Sequence, residues 1–356
     1  MTNCLVVIRN KKLNIDYGAL QSLMRVFSGG CYYFDKITAV AFDDPKLISG
    51  QLNECRAGYE NTVVLCPAEQ CKAVAEYLQK IYCSSFDGRI YINVEGASVL
   101  LGTIEECVPF AEKCVVFLND KYGVKYDKLY VKCVSASPQT VYGAIDRARA
   151  LCKDAAFAVY DEFGDQTIEI SYSSNTPKMS ADAVVRTIVS ALEEHVYALE
   201  NISLEERLYD LLKLRRMKIS VAESFTGGGI ASRLVSVPGI SEVYVEGLNT
   251  YANSSKRNRL GVDEFTLKQF GAVSDNTAYE MVEGLLKTGM CDVAISTTGI
   301  AGPKSDNTSK PVGLAYIGVG VGDRVKVYKF NYKGDRESIT RTAINDALFL
   351  AYKSLK

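Results

Sequence analysis

The chain is 356 residues long, 47% hydrophobic and 23% charged, which is more than one core usually organises and enough to build two or three. With 41 basic against 42 acidic side chains the formal charge is −1, so the sequence lacks the basic excess expected of a nucleic-acid binder. Met1 to Arg9 hold only the short apolar run Leu5 to Ile8, and no later stretch approaches the roughly eighteen apolar residues of a membrane span, so a soluble cytoplasmic protein without a membrane partner is expected.

Residues 1–125 alternate in pattern: Cys4 to Ile8 extended, Tyr17 to Phe27 helical, Ile37 to Phe42 extended, Pro45 to Ala57 helical, Thr62 to Cys66 extended and Pro67 to Ile81 helical. That order predicts a parallel α/β sheet. After Cys66 the chain enters Pro67-Ala68-Glu69 directly, without the flexible glycine turn with which a nucleotide-binding sheet approaches phosphate. Gly29-Gly30 follows a helix, where a C-terminal cap explains it. Residues 126–200 give strand Lys128 to Val134, helix Gln139 to Cys152, strands Ala156 to Tyr160 and Thr167 to Tyr172, and helix Ala181 to His195, a small α+β unit. A KH-type module has this arrangement, but its RNA-holding loop needs G-x-x-G, and Gly143 and Gly164 stand alone, so the unit reads as a spacer.

Residues 201–356 begin with Ser203-Leu204-Glu205-Glu206, whose capping-box spacing opens a helix with Leu204, Leu208, Leu211 and Leu212 on one face. There follow strand Val243 to Thr250, helices Ser254 to Leu260 and Ser274 to Leu286, strands Val293 to Thr298, Val312 to Val321 and Arg324 to Phe330, and a last helix from Asp335. The apolar stripes Ala278, Met281, Val282, Leu285, Leu286 and Ile339, Ala343, Ala347, Leu350 are core positions. The expectation is a three-layer α/β/α domain with its ligand at the strand ends.

Within Lys218-Ile219-Ser220-Val221-Ala222-Glu223-Ser224-Phe225-Thr226-Gly227-Gly228-Gly229-Ile230 the hydrophobic period changes from that of a strand to that of a helix. A helix starting there aims unpaired N–H groups at whatever lies over Gly227 and Gly228, which suits phosphate or an oxyanion; the alternative is that Ser224 or Thr226 only caps the helix. The eleven cysteines are odd in number and contain no C-x-x-C, so they read as reduced, mostly apolar thiols, with neither a metal site nor a cofactor predicted. The single histidine, His195, lies in the preceding unit, so a Ser-His pair would need a contact between domains.

Three more segments complete an ordered set: Thr250-Tyr251-Ala252-Asn253-Ser254-Ser255-Lys256, Gly271-Ala272-Val273-Ser274, and Thr298-Gly299-Ile300-Ala301-Gly302-Pro303 with Lys310-Pro311-Val312-Gly313. Together with Ala222-Glu223-Ser224-x-Thr226-Gly227-Gly228 they resemble the C-terminal domain of the competence/damage-inducible CinA family, the nicotinamide mononucleotide deamidases, over about residues 203 to 356. The family's order of domains implies a molybdopterin-binding-like α/β domain at 1–125, degenerate because its glycine-rich loop and acidic pair are missing after Cys66, a KH-like α+β domain at 126–200, and the deamidase domain at 201–356.

The resemblance implies an amidohydrolase, a nicotinamide-nucleotide amidase that converts nicotinamide mononucleotide to nicotinate mononucleotide and ammonia in pyridine nucleotide recycling, without metal or cofactor. Ser224 would be the nucleophile, Lys256 its base and Tyr251 a proton relay. Glu223, Thr226, Gly227, Gly228, Thr298, Gly299, Ala301 and Gly302 would contact the substrate, and Arg336 its phosphate. A small-molecule nucleotide is the expected partner, with a homodimer as the assembly and no nucleic acid. The chain departs from the family pattern at Phe225, at Lys304-Ser305-Asp306 and at Thr340, where the family has Cys, glycines and Arg, while Arg341 sits one position late. The alternative is therefore a nucleotide-binding or assembly protein that kept the fold with weakened catalysis.

Overall fold

The computed structural model describes residues 2–9, 17–84, 91–94, 96–305 and 309–356. They fall into two compact units, Met1–Asp127 with Ser173–Asn175, and Lys128–Tyr172 with Thr176–Lys356. No helix among the described residues is long and apolar enough to cross a membrane.

The first unit runs β1 (Asn3–Arg9), α1 (Tyr17–Gly29), β2 (Lys36–Ala41), α2 (Pro45–Gly58), β3 (Asn61–Cys66), α3 (Cys71–Tyr82), β4 (Tyr91–Val94), β5 (Ala97–Thr103) and α4 (Cys107–Tyr122). Its sheet has the order β2-β1-β3-β5-β4. The expected parallel pairing holds for β1 with β2 and β3 and for β3 with β5, but the edge strand β4 pairs antiparallel with β5. Both faces are covered, as a parallel sheet requires. Cys4, Val6 and Ile8 of β1 enter one core and Leu5 and Val7 the other, the alternation dictated by the pleat. The predicted helix from Pro67 begins instead as a short 3-10 turn, Ala68–Gln70, and the Ala68 amide donates to the Glu105 carboxylate at 3.1 and 3.3 Å.

The second unit starts with an α+β part: β6 (Tyr126–Val134), α5 (Pro138–Arg149), β7 (Ala156–Glu162), β8 (Asp165–Ser173), α6 (Lys178–Leu192) and β9 (Val196–Ala198), in sheet order β7-β8-β6-β9. It continues with α7 (Leu204–Arg215), β10 (Ile219–Glu223), α8 (Gly229–Val235), β11 (Tyr244–Asn249), α9 (Asn253–Leu260), α10 (Glu264–Gln269), α11 (Asp275–Leu286), β12 (Val293–Gly299), β13 (Leu314–Val321), β14 (Arg324–Asn331) and α12 (Arg336–Leu355). The two parts share a core, since Val134, Tyr197 and Ala198 pack with Leu208, Leu348 and Tyr352. Polar contacts fasten α12 as well: Ser135 donates to Asp346 at 2.6 Å, and the Asn345 amide donates to the carbonyls of Glu162 and Phe163 at 2.9 and 3.0 Å.

The sheet β11-β10-β12-β13-β14 lies between two helical layers, giving the expected α/β/α sandwich. Ile219, Val221 and Ile295 face α7, α8 and α12, while Ala222 and Ala294 face Leu260, Met281 and Leu285 on α9 and α11. Gly284 allows α11 to close on the end of α9, because a Cβ there would lie 2.0 Å from the Leu260 carbonyl oxygen. β10, β11 and β12 run parallel, so their C-terminal ends deliver residues 224, 250–256 and 298–302 to one edge. β13 and β14 return antiparallel.

Candidate active site

Ser224 follows the last residue of β10 and is held by the sheet, its amide donating to the Thr297 carbonyl at 3.0 Å. The chain then turns through Gly227 and Gly228 at φ 64° and 96°, left-handed values that a side chain would oppose. Helix α8 begins at Gly229, after the glycine turn, and neither Ser224 nor Thr226 caps it. The cap is Glu223. Its carboxylate accepts from the amides of Gly228 and Ile230 at 3.1 Å each and of Ala231 at 2.8 Å.

Lys256, in the first turn of α9, is 1% exposed and donates from Nζ to the Thr250 carbonyl at 2.7 Å, the Tyr251 carbonyl at 3.2 Å and Ser224 Oγ at 2.9 Å. Burial brings its amine down from the ordinary 10.5 to about 8. When neutral, the amine keeps two hydrogens on the carbonyls and turns its lone pair to the Ser224 hydroxyl, the geometry of a nucleophile with its base. His195 takes no part in this pair, and its ring bonds the Val134 carbonyl at 2.8 Å.

A cavity of about 350 Å³ opens over the pair. Ser224, Tyr251, Lys256, Thr298 and Gly299 of the expected site line it, together with Asn253, Leu267, Gly271, Ala272, Val273, Ile300 and Lys310. Asn253, Gly271 to Val273 and Lys310 belong to the motif segments; Lys310 donates to the Phe270 and Val273 carbonyls at 2.7 and 2.6 Å, contacts that no spacing in the sequence announces. Leu267 lies on α10, a one-and-a-half-turn helix too short to show a period. Phe225 lies beside Ser224, where its ring packs with Ala301, Ala315, Ile339 and Ala343 and still touches the cavity.

Other expected site residues are placed differently. Tyr251 meets Lys256 through its carbonyl, and its 63% exposed side chain forms part of the cavity wall. Glu223 is 1% exposed and fully engaged with α8, which removes it from substrate contact. The Gly227 amide donates to the Ser224 carbonyl at 3.1 Å and the Gly228 amide to Glu223, so neither is open to an anion. Thr226 is buried with its hydroxyl 2.7 Å from that of Thr297, but its amide and that of Phe225 have no acceptor among the described residues. Ala301 is core. Thr298 donates its hydroxyl to the Ala272 carbonyl at 2.6 Å. Arg336 donates to the Gly302 carbonyl at 2.7 Å and does not line the cavity, so it braces the second glycine loop from outside. Arg341 lies over the Phe163 ring at 4.3 Å. Of the departing loop, Lys304 and Ser305 are described, and Asp306 lies outside the described residues.

The family model of the CinA C-terminal domain matches residues 201–355. A protein named for competence-damage induction in Caldicellulosiruptor saccharolyticus is 36% identical over 280 residues, 76% of this chain and 65% of its own length. Residues 201–355 belong to the CinA family as its C-terminal domain. A CinA relative from Clostridium beijerinckii is 49% identical over 158 residues, 44% of this chain and 38% of the relative. The crystal structure of the competence/damage inducible protein CihA from Agrobacterium tumefaciens is 36% identical and covers 43% of this chain and 93% of that one, with a TM-score of 0.41. The match thus spans less than two thirds of these curated CinA relatives.

Proposed function

We propose that this CinA-family chain is an amidohydrolase that converts nicotinamide mononucleotide to nicotinate mononucleotide and ammonia. The observation that carries the reading is the buried Lys256 amine 2.9 Å from Ser224 Oγ under an open cavity. Neutral Lys256 takes the Ser224 proton as Oγ attacks the carboxamide carbon. The tetrahedral oxygen is held by the Phe225 and Thr226 amides, the donors left open at the turn. The Lys256 ammonium then protonates the leaving nitrogen, ammonia departs, and water, deprotonated by the same amine, cleaves the ester to release the carboxylate and restore Ser224. The second glycine loop, braced by Arg336, is the proposed neighbour of the ribose phosphate.

The test is ammonia release from nicotinamide mononucleotide by the purified chain, with and without chelator. Release that a chelator leaves unchanged and Ser224→Ala abolishes supports the reading. Tight ligand binding with background release would establish the alternative, a nucleotide-binding protein on the same fold.

A further inference from the structure

We propose that Glu223 is a positioning residue for Ser224, fixing the turn that carries the nucleophile and its two open amides without itself touching substrate. The inference rests on the Ser224–Lys256 reading above. Glu223 is the point at which four elements are tied together. Its carbonyl accepts the Thr250 amide at 2.8 Å, and the Thr250 carbonyl in turn accepts Lys256 Nζ at 2.7 Å. Its neighbour Ser224 is bonded through the amide to Thr297 at the end of β12. Its side chain, 1% exposed, collects three amides from the start of α8. One residue thus links the nucleophile's strand to the loop holding the base and to the helix beyond the turn.

The turn needs such a tie. Between Ser224 and Gly229 it has only two internal backbone bonds, Gly227 to the Ser224 carbonyl at 3.1 Å and Gly229 to the Thr226 carbonyl at 3.0 Å. Its two left-handed glycines, Gly227 and Gly228, resist rotation little. Removing the carboxylate leaves three amides without their acceptor next to that soft hinge. Ser224 Oγ then loses its fixed place 2.9 Å from Lys256 Nζ, and an error of about an ångström in a reacting group costs on the order of a hundredfold in rate. A carboxylate here also keeps a substrate phosphate away from this helix start, because the N–H groups are already taken and the charge is of the same sign.

Wild type, Glu223→Gln and Glu223→Ala should be compared at a temperature where thermal melts show all three folded. Two rates are read: ammonia release from nicotinamide mononucleotide, and labelling of Ser224 by a fluorophosphonate, in which the Oγ–P bond forms, fluoride leaves and Lys256 takes the proton. Gln keeps one acceptor oxygen, so kcat should fall about tenfold in that variant and about a hundredfold in the Ala variant, with KM within about threefold and labelling slowed in parallel. The rise of rate with pH near 8 should stay where Lys256 puts it. A raised KM at unchanged kcat would make Glu223 a substrate contact and overturn the proposal. Wild-type rates per folded molecule in both variants would reduce it to a structural cap. Should wild type release no ammonia, the substrate reading fails while the labelling ratio still decides this one: parallel slowing supports it, equal labelling of all three proteins refutes it.

Discussion

Strands β3 and β10 each lie buried within a parallel part of a five-stranded sheet, and each leads into a helix, yet one ends at the proposed Ser224–Lys256 pair and the other does not. At both turns the protein supplies its own acid: Glu105 accepts the Ala68 amide after β3, and Glu223 accepts three amides after β10. A free helix start for an anion is therefore not what separates them. The difference lies in the path of the chain. After β3, Pro67 runs extended at φ −56° and ψ 144° straight into the 3-10 turn, whereas after β10 two left-handed glycines fold the backbone back and leave a hydroxyl beside a buried amine. What distinguishes the second turn is the side chains that it positions, more than its helix end.

The comparison breaks most visibly at Ser224. Ser224→Ala should lower turnover by roughly a thousandfold or more, at least about 4 kcal/mol of barrier, while the melting temperature stays nearly constant because Glu223 and not Ser224 caps α8. Lys256→Met should match that loss, and the double variant should add little to either. Titration sharpens the same point. The base works only when neutral, so kcat/KM should climb with pH and level off above about 8. Stability should follow a related course. The folded value, about 8, lies below the ordinary 10.5, so in that window the unfolded chain holds a proton that the folded chain has released. The contribution of Lys256 to stability is then full above 10.5 and lost as pH falls through about 8, a span of about 3 kcal/mol. Denaturant unfolding from pH 7 to 10.5 should show this rise in wild type and not in Lys256→Met.

Smaller effects test the path of the chain. Gly227→Ala forces a side chain into φ 64° and should cost about 1 kcal/mol of stability, with a parallel fall in kcat. Arg336→Ala frees the Gly302 carbonyl and should raise KM for the nucleotide several-fold with kcat nearly unchanged. At the other turn, Glu105→Ala should leave ammonia release unaltered, and the intact chain should not hydrolyse ADP-ribose. ADP-ribose hydrolysis that Glu105→Ala changed would show that β3 ends in a working site after all.

The place of Ser224 was legible because the hydrophobic period changes there and strand ends converge in an α/β/α sandwich, whereas Lys256 was marked only by the ordered motifs that resemble the CinA family. The role of Glu223 was not. Familiar caps are read from a fixed spacing inside the first turn, as at Ser203 and Glu206, whereas Glu223 bonds amides five to eight residues ahead across an irregular turn that no spacing encodes. The exposure of the Tyr251 ring was not legible, because β11 ends at Asn249 and the two residues that follow set their own directions. Arg336 was expected at a phosphate and instead holds a carbonyl of a loop 34 residues away, a pairing that only the folded chain defines. In the first unit, the edge strand β4 has only four residues, too few alternations to stand out, and β5 is buried along its middle and shows no alternation.

Gly284 extends the site's reach to a residue with no chemistry of its own. Its bare Cα lets α11 lie against the Leu260 carbonyl, and Leu260 is one helical turn from Lys256. Any methyl group inherited there must push α9 outward, carrying the amine away from a hydroxyl and two carbonyls that it meets at 2.7 to 3.2 Å. A lineage could thus fall silent as an enzyme while every residue of its catalytic motifs remained intact, and motif matching alone would continue to count it as active.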